Sequence, residues 1–146
     1  MKKILFICTG NTCRSPMAEA LLKHKKKDIE VQSAGLFAFD GGPASEQTVQ
    51  VLKEKGISCE HRSKQVNESL LNWADVVLTM TEEHKARLQA LFPAYKDHIH
   101  TLKQFVEADD NNIDVQDPFG GPPEMYRNTF AELASLMDKL IKKIEK

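Results

Sequence analysis

A thiol and a guanidinium stand near the start of the chain: Cys8 and Arg14, with Thr9, Gly10, Asn11, Thr12 and Cys13 between them and Ser15 and Pro16 after. A cysteine attacks as its thiolate. An arginine presents a planar fork of donors that grips two oxygens of a phosphoryl group at once. The five residues between them supply backbone N–H groups, and Gly10 lets that backbone bend toward a ligand with no Cβ in the way. A simple turn needs neither the thiol nor the guanidinium. These residue types at this spacing fit covalent attack on phosphorus inside an oxyanion cradle.

Two elements must position that cradle. Upstream, "KKILFIC" carries Ile4, Leu5, Phe6 and Ile7 as a continuous apolar run, expected to be a strand over residues 3–8 buried on both faces. Downstream, Ser15 is expected to cap a helix with Pro16 at its first position and Met17, Ala20, Leu21 and His24 at helical spacing. A loop between a strand and a helix N-terminus aims N–H groups at one point, and the helix dipole favours thiolate there. Taken singly, each residue has a plainer reading. A cysteine at a strand end is more often a small buried hydrophobe, and an arginine at a helix start a solvated charge. The combination within one strand–loop–helix unit is what points to chemistry. It is not a Walker loop, because no G-x-x-x-x-G-K-[ST] occurs.

The rest of the chain alternates in the same way. "IEVQSAG" (29–35) reads as a second strand, and "PASEQTVQVLKEKG" as a helix with Val49 and Leu52 facing inward and Gly56 as its C′ stop. "ESLLNWADVVLTM" suggests a short helix running into a third strand, Val76 to Met80. Thr81 suits the cap of a further helix with Glu82 and Glu83 in its first turn, Pro93 ends that region, and "HIHTL" is a fourth strand candidate. A polar loop, "EADDNNIDVQDPFGGPP", precedes a long amphipathic helix, "EMYRNTFAELASLMDKLIKKIEK". The expected fold class is therefore α/β: a four-stranded parallel sheet with helices on both faces and a phosphate-binding loop between the first strand and the first helix. In such sheets ligands bind beyond the carboxyl ends of the strands.

With 146 residues, one domain spanning 1–146 is expected. The apolar and charged fractions, 41% and 28%, are those of an ordinary soluble globule. A formal net charge of −1 argues against nucleic acid as a partner. The start lacks the apolar length of a signal peptide, and no apolar run is long enough to span a membrane. Cys8, Cys13 and Cys59 then read as free thiols in a reducing cytoplasm. The single C-x4-C has no second pair at zinc-ligand spacing, and His84, His98 and His100 show no ligand spacing either. Asp110, Asn112 and Asp114 imitate the first ligands of an EF-hand, but Val115 stands where glycine is needed and Gly121 where a bidentate glutamate should be. No metal or cofactor is expected. "KHKKK" (23–27) suits a helix C-terminus, Trp73 and the apolar stripe of the last helix suit the core, and a monomer is expected.

"CTGNTCRSPMAEA" closely resembles the signature loop of the low-molecular-weight protein tyrosine phosphatases, and the likeness continues through "SAG" (33–35), "HRSKQV" (61–66), "DVVLTM" (75–80) and "DPFGG" (117–121) in the family's order. The resemblance implies that Cys8 forms a phosphocysteine while Arg14 and the loop amides bind the equatorial oxygens. Asp117 then matches the general acid, ahead of its neighbours Asp109, Asp110 and Asp114. It further implies that Ser15 donates to the Cys8 thiolate, that Asn11, Ser33 and His61 hold the loop's shape, and that Cys13 can pair reversibly with Cys8. No metal is implied, and the partners would be phosphorylated proteins.

Two departures bear on the substrate. Thr12 stands where tyrosine phosphatases commonly carry a bulky aliphatic residue, and Asp117-Pro118 is followed by Phe119 and Gly120 rather than two tyrosines. Both resemble the bacterial protein-arginine phosphatase branch, as do "HKARLQALF", "TLKQFV" and "MYRNTFAEL". A short polar Thr12 tolerates the N–H of a phosphoguanidinium, Asp117 attracts a cationic leaving group, and Phe119 can stack on it. Phosphoarginine hydrolysis is the expectation, with phosphotyrosine as the alternative. Arsenate reductases of this fold relay oxidation through two later cysteines, whereas only Cys59 follows here. A phosphocarrier would not need an acid such as Asp117.

Overall fold

The apolar run of the first residues becomes β1 (Lys3–Cys8), flanked by β2 (Glu30–Gly35) and β3 (Val76–Thr79), with β4 (Ile99–Thr101) beyond β3. All three pairings are parallel, in the order β2-β1-β3-β4. The computed structural model describes residues 2–107 and 113–145. Asp109, Asp110 and Asn112, weighed above as acids or calcium ligands, lie outside them.

The helices are α1 (Arg14–Lys25), α2 (Glu46–Glu54), α3 (Glu68–Trp73), α4 (Glu82–Leu91), α5 (Leu102–Glu107) and α6 (Pro123–Ile144), with a 3₁₀ turn at Pro93–His98. Both faces of the sheet are covered, as the unbroken apolar run requires. Ile4 and Phe6 join one apolar layer with Met17 and Leu21 of α1 and Leu133, Met137 and Leu140 of α6. Leu5 and Ile7 point the other way, toward Leu70 and Leu71 of α3 and Leu88 of α4.

Several expectations need correction. The first helix begins at Arg14 with Cys13 in the cap position and no side-chain cap, so Ser15 lies inside the first turn and His24 is exposed. The Ser15 oxygen is occupied elsewhere, as shown below. In α2 the inward residues are Thr48, Val51 and Leu52, whereas Val49 is exposed. Ser45, which accepts from the Thr48 N–H, starts that helix and so sets the phase that turns Val49 outward. The third strand ends at Thr79, one residue early, and α5 forms where only a strand and loop were expected. Gly56 does stop α2, at φ 74°. Thr81 caps α4 by accepting from the His84 N–H at 3.1 Å. Trp73 is only partly buried, against the second layer.

Candidate active site

The chain leaves β1 for β2 on one side and returns to β3 on the other, so the carboxyl ends of β1 and β3 part at a topological switch point, where open α/β sheets bind ligands. A cleft of about 230 Å³ opens there, lined by Cys8, Thr9, Gly10, Thr12, Cys13, Arg14, Asp117 and Phe119. One residue grouped with them from the sequence does not line it. Asn11 is fully buried beneath the loop.

Asn11, rather than Gly10, takes the left-handed conformation, at φ 57°. Its side chain and carbonyl make four hydrogen bonds below the loop. The Nδ2 group donates to Ser15 Oγ (2.8 Å) and Ser33 Oγ (2.9 Å), Oδ1 accepts the Lys64 N–H (3.0 Å), and the carbonyl accepts from His61 Nε2 (2.7 Å). An amide nitrogen only donates, so both serine oxygens accept from it and each serine proton must go elsewhere. That of Ser33 goes to Glu19 Oε1 at 2.5 Å. The Ser15 hydroxyl lies 2.8 Å from Cys8 Sγ, where its proton can meet the sulfur once Cys8 is ionised. Ser33 and His61 thus both meet Asn11 beneath the loop, one at its side-chain amide and the other at its carbonyl. Burial holds His61 below the ordinary histidine range, against the pull of the Asn11 carbonyl and of Glu19.

Gly35, the last residue of β2, supports the loop from below. A Cβ there would come within 2.6 Å of the Thr9 carbonyl oxygen and 3.0 Å of the Asn11 nitrogen. The "SAG" stretch thus ends in glycine because loop backbone occupies the space of any side chain.

The buried Arg14 crosses to the segment after α5, donating to the Val115 carbonyl at 3.0 Å and approaching Asp117 Oδ2 at 3.5 Å. The Asp117 side chain is 51% exposed at the rim, and its Oδ1 accepts the Phe119 N–H at 3.0 Å, a local turn that fixes its direction. Asp114 is engaged elsewhere, accepting the Glu82 N–H at the start of α4 (2.8 Å). Among the described acids of this segment, Asp117 is the one that lines the cleft. Thr12 is held at the lip by its carbonyl, which accepts the Ser45 N–H at 2.9 Å. Phe119 stands 74% exposed beside it. Cys13 faces Ser45 Oγ (3.5 Å) and the hydroxyl of Tyr126 (3.6 Å), whose pKa is pushed up to about 12 by burial and then by Cys13. All three cysteines are free thiols.

Two residues went unrecognised in the sequence. Glu19 anchors Ser33, and its four-residue spacing from Ser15 on one helix was the available signal. The buried His84 contacts Thr9 Oγ1 through Nε2 at 2.8 Å. No metal-ligand spacing marks His84, yet it stands three residues after the capping Thr81 and reaches the loop after β1. Among the described residues, no cluster of His, Cys, Asp and Glu is arranged to hold a metal.

A cysteine at the base, a guanidinium at one wall and a carboxyl group at the rim make this cleft suited to phosphoryl transfer. Residues 3–146 match the model of the family described as low molecular weight phosphotyrosine protein phosphatase. The chain belongs to this phosphatase family. Relatives within it include proteins named protein-arginine-phosphatase. That of Geobacillus stearothermophilus is 51% identical over 98% of this chain and 96% of its own length. That of Bacillus subtilis (strain 168) is 44% identical over 98% and 97%. A solved mutant of YwlE arginine phosphatase, in which a phosphorylated serine replaces the active-site cysteine, superposes with a TM-score of 0.95 at 42% identity, over 99% of this phosphatase and 96% of that chain.

Proposed function

We propose that the chain is a cysteine-dependent protein-arginine phosphatase, with residues 1–146 as one catalytic domain. One pairing carries this reading: near-full-length likeness to proteins named protein-arginine-phosphatase, together with Thr12 lining the same cleft as Asp117. The Cys8 thiolate attacks phosphorus, the P–N bond breaks, and Asp117 delivers its proton to the departing guanidine nitrogen. Arg14 and the amides of Thr9 to Cys13 hold the equatorial oxygens. Water, deprotonated by Asp117, then cleaves the P–S bond, releasing phosphate and free Cys8. The phosphorylated serine in the YwlE mutant supports a phosphoenzyme at this position.

The partners are phosphorylated proteins, met by a monomer in the cytoplasm without nucleic acid or membrane. The free thiols suit a reducing compartment, and among the described residues no helix is long and apolar enough to cross a membrane. The test is kcat/KM for phosphoarginine and phosphotyrosine in matched peptides, with Cys8→Ala as control. Strong Cys8-dependent preference for phosphoarginine is expected. Preference for phosphotyrosine would keep the mechanism and discard the substrate.

A further inference from the structure

We propose that His84 is a positioning residue for the reaction: from the first turn of α4 it holds Thr9, the wall of the cleft beside Cys8, in register with the acid-bearing segment that the same helix start grips through Asp114. The reading rests on the proposed phosphatase site, because Thr9 lines it.

Three observations carry it. His84 is only 7% exposed and its Nε2 lies 2.8 Å from Thr9 Oγ1, across a separation of 75 residues, so the contact ties the loop after β1 to the start of α4. Two residues earlier on the same helix, the Glu82 N–H donates to Asp114 Oδ1, three residues before Asp117. The start of α4 therefore touches both halves of the site, the nucleophile loop through His84 and the acid segment through Glu82. The third observation concerns the proton. His84 Nδ1 is buried with no hydrogen-bond partner among the described residues. A buried N–H left unpaired is rarer in proteins than an under-satisfied acceptor, so the proton belongs on Nε2 and Nδ1 carries the bare lone pair. His84 is then a neutral donor to Thr9, consistent with burial and the neighbouring Arg14 charge pushing its pKa down to about 4. The Thr9 hydroxyl, having accepted, keeps its own proton free.

The alternative is a core histidine whose contact with Thr9 only adds stability. The two part in kinetics. His84→Leu keeps an apolar group and loses the donor, whereas His84→Gln places an amide N–H near the former Nε2. Positioning predicts that His84→Leu lowers kcat by roughly tenfold, the worth of one hydrogen bond to a reacting geometry, with KM nearly unchanged. His84→Gln should restore most of it. In a Thr9→Val background, which removes the acceptor from the other end and keeps shape, His84→Leu should cost little more, because residues acting as a unit are not additive. Equal kcat in His84→Leu and wild type, equal losses in His84→Leu and His84→Gln, or additive losses with Thr9→Val would each overturn the proposal. If His84→Leu does not fold, Thr9→Val against Thr9→Ser asks the same question, and equal kcat in those two would overturn it. Both series run on a phosphoarginine peptide and on p-nitrophenyl phosphate. Wild-type failure on phosphoarginine alone would then sink the substrate reading and leave the His84 comparison intact on the aryl ester.

Discussion

Asn11 commits its whole side chain to partners below the loop, while Thr12, the next residue, lines the cleft, its carbonyl bonded to Ser45 and its hydroxyl touching only the neighbouring Cys13 sulfur among the described residues. Neighbouring residues thus differ in what they face, one the packing below the loop and the other the cleft. If Thr12 sets the leaving group, Thr12→Ile should move the ratio of kcat/KM for phosphoarginine and phosphotyrosine toward phosphotyrosine, with Tm little altered. An unmoved ratio would mean that selection lies elsewhere. Asp117 makes a different prediction. With a proton donor contributing about 10²–10⁴-fold, Asp117→Asn should lower turnover by that order while Cys8 still reacts with iodoacetate. Undiminished turnover would count against hydrolysis through this carboxylate. At this scale the sequence was most informative about Cys8, Arg14 and Asp117, which line the cleft, because the roles proposed for them each need one chemical type. It was less so for Ser15. A serine one residue before proline suits a helix cap, and only the folded geometry shows its hydroxyl against the Cys8 sulfur.

Among the elements, β2 acts on the chemistry without contributing a reacting group. Its terminal Gly35 leaves room for the Thr9 carbonyl and the Asn11 nitrogen. Gly35→Ala should therefore shift the loop rather than merely strain β2. We expect a stability loss of about 1–3 kcal/mol by denaturant titration, as for overpacked cores, with a fall in kcat beyond what the unfolded fraction explains. Full activity would mean that the loop yields without consequence. The strands were legible because period and length agree: an unbroken ILFI run leaves few alternatives to a doubly buried strand. The phase of α2 and the existence of α5 were not. Val49 and Val51 are equally apolar, so only the Ser45 cap distinguishes them, and the six residues of α5 are too few for a period to show. The contact of His84 with Thr9 spans 75 residues and has no local signature beyond the cap before it.

For the molecule as a whole, the buried imidazole of His84 makes stability depend on pH. Burial and Arg14 push its pKa down to about 4, while Asp114 and Asp117 pull upward; Glu83 and Arg87 share its small surface cleft. With the unfolded value near 6.5, the unfolded chain binds the extra proton between these limits. The contribution, of order 2–3 kcal/mol, is therefore complete above pH 6.5 and lost as pH falls toward 4. Denaturant midpoints measured across that range should fall less steeply for His84→Gln than for the wild type. Identical slopes would refute the assignment. One further consequence follows from the separation of Asn11 from Thr12. The scaffold of Asn11, Ser33, Glu19 and His61 has no side chain among those lining the cleft, and Thr12, Asp117 and Phe119, which do line it, carry none of that scaffold's side-chain bonds. A cleft built this way can be altered at its lip, trading an aryl ester for a phosphoramidate, without disturbing the side-chain bonds that shape the loop beneath it.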